Sequence, residues 1–144
     1  MRYREVIRMP LWLLAIIYFF LLSLVLSIGA ALGNTAAIIS LLVSTALLVL
    51  IALKSALKIE ITDEELRIGR AHIELKFVSS IQTLTATEMA TLRTRDANPA
   101  AFLAIRFWSP AGVRIAINDS RDPTPYWLVT SKNPLELSKA VELN

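Results

Sequence analysis

The chain has 144 residues, of which 55% are hydrophobic and none is cysteine, and a formal net charge of +3. That length suits one ordinary domain, and the missing cysteines exclude a lipid-modified cysteine anchor and fit a reducing compartment. The charge divides into +2 for the leader (Arg2, Arg4 and Arg8 against Glu5) and +1 for residues 54–144, where twelve Lys/Arg are interspersed with eleven Asp/Glu; a nucleic-acid reader would show a clustered basic face, so no nucleic-acid partner is expected.

Residues 1–9 read as a basic cytoplasmic leader. From Met9 to Leu53 the sequence holds no Asp, Glu, Lys, Arg or His, a run of 45 residues interrupted only by Gly33-Asn34. A bilayer core needs about 20 apolar residues in a helix, and backbone polar groups in lipid must be satisfied internally. Residues 10–53 therefore predict a transmembrane helical hairpin with spans at 10–32 and 35–53. The first run is longer than the roughly 7–15 apolar residues of a signal peptide, and a second run follows directly. Arg2, Arg4 and Arg8 before the first span, and Lys54 and Lys58 after the second, put both termini in the cytoplasm of a multi-pass cell-membrane protein. Ser23, Ser27, Ala36, Ser40 and Ser44 repeat every four residues, so each set shares a helix face. The expected contacts pair Ser27 with Ser40 and Ser23 with Ser44, and the alternative use of the small residues Gly29 and Gly33 is a homo-oligomer through the membrane helices. No ionisable group lies at membrane depth, which argues against a transport path within one chain.

After Lys54 the period changes to two. Leu57, Ile59 and Ile61 alternate with polar residues, as do Leu66 with Ile68 and Ile73 with Leu75 and Phe77, the pattern of half-buried strands. Residues 78–84 make a fourth strand. Thr85 and Glu88 form a T-x-x-E capping box for a short helix. Residues 102–108 and 113–117, separated by Ser109-Pro110-Ala111-Gly112, read as a hairpin. Pro125 suits the first position of a strand at residues 126–131. Asn133 and Pro134 begin a final helix at about 134–143, whose apolar stripe is Leu137, Ala140 and Val141.

Seven short strands followed by one helix resemble the pleckstrin-homology fold, a barrel or sandwich closed at one end by a C-terminal helix. The fold class expected is thus a membrane α-hairpin plus a mainly-β domain over residues 54–144. Nearly the whole chain also resembles an uncharacterised family of small actinobacterial membrane proteins. The residues carrying that likeness are YREVIRMP, the two-span hairpin, ITDEELRIGR, DANPAAFL and above all DPTPYWLVTSKNP. The family has no assigned activity, so the resemblance implies an architecture and a membrane location but no substrate or catalytic residue.

Candidate chemistry is sparse. His72 is the sole histidine and alternates outward on a strand, and a zinc site wants three or four N/S/O donors. Asp63, Glu64 and Glu65 fall in a turn between strands, and Asp119 and Asp122 flank Arg121 in a loop. None of the common nucleotide-cradle, metalloprotease or nucleophile-elbow motifs occurs. The expectation is a protein without catalytic residues, metal or cofactor. As an interaction surface the sequence offers Arg106 and Arg114 on neighbouring strands, Arg121 in the loop, and Trp108, Tyr126 and Trp127. These residues would grip an anionic lipid phosphate or anchor a protein partner; the alternative is that Trp108 and Trp127 complete the core and the arginines are surface charge. The function expected is a non-catalytic, membrane-anchored interaction or scaffold module held against the lipid bilayer, an accessory subunit of a membrane complex, with anionic-lipid sensing as the alternative.

Overall fold

The computed structural model describes residues 1–142. The chain forms two compact units, one of Arg8–Ala56 and one that joins Met1–Ile7 to Leu57–Asn144. In chain order the elements are β1 (Tyr3–Ile7), α1 (Leu11–Leu32), α2 (Asn34–Lys54), β2 (Leu57–Ile61), β3 (Glu65–Ile68), β4 (Ala71–Glu74), β5 (Val78–Leu84), α3 (Ala86–Arg93), β6 (Phe102–Ala104), β7 (Gly112–Ile117), β8 (Tyr126–Thr130) and α4 (Pro134–Glu142). Leu143, included in the expected final helix, lies outside the described residues.

The first unit is a helical hairpin. Its helices begin and end within a residue of the bounds that the uncharged run predicts. Gly33 sits between them at φ 93°, a backbone that residues with a β-carbon resist, and its N–H closes α1 on the Gly29 carbonyl at 2.9 Å. Both helices are long and apolar enough to cross a membrane. They run antiparallel and close: a β-carbon added at Gly29 would lie 2.9 Å from that of Ala37, and the Tyr18 and Thr45 hydroxyls meet at 3.1 Å. The serine hydroxyls bond along their own helices. Ser23 donates to the Phe19 carbonyl and Ser27 to the Ser23 carbonyl, both at 3.0 Å, and both serines are exposed. A hydroxyl on a helix reaches the carbonyl one turn back without any partner helix, and the buried positions of the hairpin are Val25 and Ser44 instead.

The second unit has two four-stranded sheets, ordered β1-β2-β3-β4 and β5-β7-β8-β6. Neither sheet closes on itself. The eighth strand, absent from the sequence reading, is β1. Residues read there as a basic leader pair antiparallel with β2, Tyr3 opposite Ile61 and Ile7 opposite Leu57. Local alternation explains it: Glu5 and Ile7 are buried while Arg4 is exposed, and Arg4 lies 3.5 Å from Glu60 on the adjacent strand.

The second sheet also corrects the sequence reading. Residues 102–108 and 113–117 do not form a hairpin. The strand β6 ends at Ala104 and pairs parallel with β8, Phe102 opposite Trp127, while β7 runs between β5 and β8. Gly112 permits the β7–β8 pairing, since a β-carbon there would meet the Val129 carbonyl oxygen at 2.2 Å. The strand β8 is central and covered on both faces. Trp127 and Val129 join the main core with Ile7, Ile59, Leu66, Ile115 and Leu137, whereas Tyr126 and Leu128 pack with Leu84 and Met89 of α3. The capping box forms as expected, Thr85 Oγ1 accepting from the Glu88 N–H and Glu88 Oε1 from the Thr85 N–H, both at 3.3 Å.

Candidate functional site

Tyr126 and Trp127, offered by the sequence as surface anchors, are each only 5% exposed. They point to opposite faces of the central strand β8, so their size fills core. Trp108 is half-buried against the main core, with its indole Nε1 buried and unpartnered. The three arginines make separate contacts. Arg106 follows β6 into a turn, where its N–H donates to Thr130 Oγ1 at 3.0 Å and its guanidinium to the Ile105 carbonyl at 3.0 Å. Arg114, on β7, stacks its guanidinium carbon 4.4 Å above the Tyr126 ring. Its Nε is buried with no hydrogen-bond partner, and it lines a cavity of about 270 Å3 with Gln82, Glu88, Thr91 and Asp96.

Arg121 pairs with Asp119 at 3.2 Å and covers the Phe77 ring at 5.0 Å. Its side-chain and backbone donors hold the Asp119 carboxyl below the usual carboxylate range. Asp122 accepts from the Thr124 N–H at 2.9 Å, which lowers its pKa in the same way. The loop before β8 is therefore tied to itself. His72 is exposed on β4, opposite Arg67. Asp63 takes the Arg2 guanidinium at 2.7 Å, and Glu65 pairs with Arg67, which lowers the Glu65 pKa.

One polar cluster went unseen in the sequence. Glu5 is 8% exposed. Its Oε2 accepts from the Tyr3 hydroxyl at 2.9 Å and from Ser131 Oγ at 2.7 Å, and its Oε1 accepts from the Lys132 N–H at 2.6 Å. Ser131 Oγ accepts in turn from the Asn133 N–H at 3.1 Å, and the Asn133 carbonyl accepts from the Leu137 N–H in the first turn of α4. Burial, followed by the bond to Glu5, raises the Tyr3 hydroxyl to a pKa of about 12. A buried carboxylate is costly unless its oxygens are satisfied, and here three donors satisfy it. The cluster ties the N-terminal strand to the start of the last helix. The available signal was the alternation of Tyr3, Glu5 and Ile7, masked by the charges around them.

Backbone bonding capacity is also left at the sheet edges. The strand β1 carries Arg4 and Glu5, β4 carries His72 and Glu74, and β6 is three residues long. Charges and short length are the usual protection against strand addition. The strand β5, VSSIQTL, has neither: it is seven residues long, uncharged, free of proline and paired on one side only. Ser79, Ser80, Gln82 and Thr83 are exposed along it. Beside its first half lies a cavity of about 360 Å3 lined by Leu75, Val78, Ile81 and the last residues of α4, Val141 and Glu142.

These features define a class of protein: an apolar two-helix hairpin inserted between the first and second strands of a two-sheet β unit, with a helix after the last strand. Residues 2–141 match a family described as a protein of unknown function (DUF3093), and the chain belongs to it. No curated protein and no solved structure is significantly similar to the chain.

Proposed function

We propose that this protein is a non-catalytic interaction module anchored in the cell membrane. The hairpin crosses the bilayer twice, and a pleckstrin-homology-like β unit on the cytoplasmic side holds a protein partner. The observation that carries this reading is the pairing of β1 with β2. The segment before the first long apolar helix and the segment after the second belong to one sheet, and one sheet cannot straddle a bilayer. An even number of crossings meets that condition. Arg2, Arg4, Arg8, Lys54 and Lys58 support the cytoplasm as the shared side. The pleckstrin-homology likeness draws support from two packed sheets followed by a helix whose Leu137, Ala140 and Val141 enter the main core. The chemically capable side chains Glu5, Asp119 and Asp122 are engaged in holding the fold, whereas the edge of β5 has bonding capacity left, which favours a binding role.

Single cysteines test the anchor, since the chain has none of its own. With a membrane-impermeant maleimide on intact cells, Asn34→Cys in the turn should label and Ser120→Cys should label only after lysis. The reverse pattern overturns the orientation, and labelling of both from outside overturns the crossing itself. Detergent pull-down with mass spectrometry tests the partner, and a chain that always purifies alone and monomeric overturns the interaction role.

Anionic-lipid sensing is a second reading, supported by the unpartnered Nε of Arg114. Arg106 lies in the turn after β6 and Arg114 on β7, so this reading rests on Arg114 with the loop at 119–125. Co-flotation with vesicles with and without phosphatidylglycerol, for wild type and Arg114→Ala, tests it.

A further inference from the structure

We infer that the partner of this protein is bound as an added strand: an extended, uncharged peptide segment, ending in a basic residue, that pairs with the free edge of β5 and lies in the groove between that edge and α4. The inference rests on the interaction role proposed above and names its site and ligand chemistry. Three observations carry it.

The first is backbone chemistry. Among the described residues, β5 takes strand hydrogen bonds only from β7, so the N–H and C=O groups along its other side have no strand partner. What satisfies a row of alternating donors and acceptors is another extended backbone. The second is the comparison with the other three edges, each of which is short or charged while this one is neither. An unprotected edge on the longest strand is the position at which strand addition is cheapest. The third is the groove. Val78 and Ile81 on one side and Val141 on the other offer apolar contact to alternate side chains of an incoming strand, and the one charged lining residue among the described residues, Glu142, stands at the helix end of the groove. A peptide with Lys or Arg at that end is complementary, and an acidic one is not.

The same groove selects a single strand over a second copy of this chain. The helix α4 packs against β5, and its Val141 and Glu142 wall the groove. A copy approaching through its own β5 would bring its own helix into the same space, whereas a lone extended segment needs no such room.

The test uses the full chain in nanodiscs and the fluorescent probe peptide Lys-Val-Thr-Val-Thr-Val. Fluorescence anisotropy should show saturable binding, and hydrogen exchange should slow in the 78–84 segment. N-methylation of alternate probe amides, which removes the strand hydrogen bonds but keeps the side chains, should weaken binding roughly tenfold or more. Ser80→Lys, at an exposed position, should weaken it while leaving the melting temperature unchanged. Glu142→Lys should weaken the Lys-ended probe and strengthen a probe with Glu in its place. No saturable binding, equal binding of the N-methylated probe, or protection in another segment overturns the inference. A wild-type dimer dissociated by Ser80→Lys also overturns it, because the edge would then belong to a second copy. A pulled-down partner retained fully by Ser80→Lys overturns the edge site while leaving the anchored interaction role standing, so the two failures are distinguishable.

Discussion

In the hairpin, Leu26 and Leu32 are 76% and 75% exposed, while in the β unit Ile59, Ile61 and Leu128 have no exposed surface. The residue types are alike and their treatment is opposite. The β unit satisfies its aliphatic side chains from within, two sheets and a helix against one core. The hairpin satisfies only its backbone from within and leaves its side chains facing outward, a workable arrangement where the surroundings are themselves apolar. The same residue types thus have two surroundings in one chain, and substitutions of equal chemistry should act differently in each unit.

The largest effect should come from charge placed in the hairpin. Val25 is buried against the partner helix, deep in α1. On insertion scales an arginine at a helix centre costs about 2.5–3.5 kcal/mol, and loss of the valine adds a few tenths. Val25→Arg should therefore reduce membrane-integrated protein on the order of a hundredfold, read by carbonate extraction and immunoblot. Integration at the wild-type level would mean that this segment does not face hydrocarbon.

Next in size is a matched pair of truncations. Leu128→Ala in the β unit removes a side chain from a filled core, and such changes cost about 2–5 kcal/mol. Leu26→Ala removes the same atoms from an exposed helix face in the hairpin, and should shift the unfolding of the β unit by less than about 0.5 kcal/mol. Urea titration of the protein in nanodiscs, followed by tryptophan fluorescence, reads both. Equal shifts would erase the distinction between the units.

The third prediction concerns the link within the β unit. Glu5→Ala strands the Ser131 hydroxyl and the Lys132 N–H in a buried site, at about 1–3 kcal/mol. Glu5→Gln retains acceptor capacity and should cost about half as much. Both should raise hydrogen exchange in β1 and in the first turn of α4 together, because one carboxylate holds them both. A rise confined to β1 would show that α4 does not depend on this cluster.

These contrasts also mark what could be read from the sequence. The hairpin was legible because 45 residues without an ionisable group admit few other readings. The strands β2, β3 and β5 and the Thr85 capping box were legible because their signals are local: alternation of period two, or a hydroxyl three residues before a glutamate; β4 was legible only in part, since its alternation runs on to Phe77 while the strand ends at Glu74 and Leu75–Phe77 is a 3-10 turn. The strand β1 was not, because its partner lies beyond both helices and its inward face carries Glu5, which reads as solvent-facing until its three donors are known. Pairing Phe102–Ala104 with β8 instead of β7 was illegible for a related reason. A turn such as Ser109–Gly112 suggests a hairpin locally, and nothing local reports a parallel neighbour some twenty-five residues on. Among candidate site residues, Trp127 admits two readings in the sequence, anchor or core, and a strand covered on both faces takes it and Tyr126 into the core. The unprotected edge of β5 is written plainly in VSSIQTL, but its meaning depends on knowing that the strand lies at an edge.

The smallest predicted effect is the one with the clearest sign. Tyr3 donates to the buried carboxylate of Glu5, and burial with that contact raises its pKa from 10.0 to about 12. Raising the pKa means that the fold favours the neutral hydroxyl. Its contribution is fully present below pH 10, the titration point in the unfolded chain, and is lost progressively as pH climbs from 10 towards 12. Tyr3→Phe removes the hydrogen bond and should cost about 1 kcal/mol at neutral pH, but it also removes the titration. The melting temperature of wild type should therefore exceed that of Tyr3→Phe at pH 8, and the gap should shrink and then reverse on the way to pH 12. A gap that stays constant across this range would place the Tyr3 hydroxyl in water and loosen β1 from the cluster that fastens it to α4.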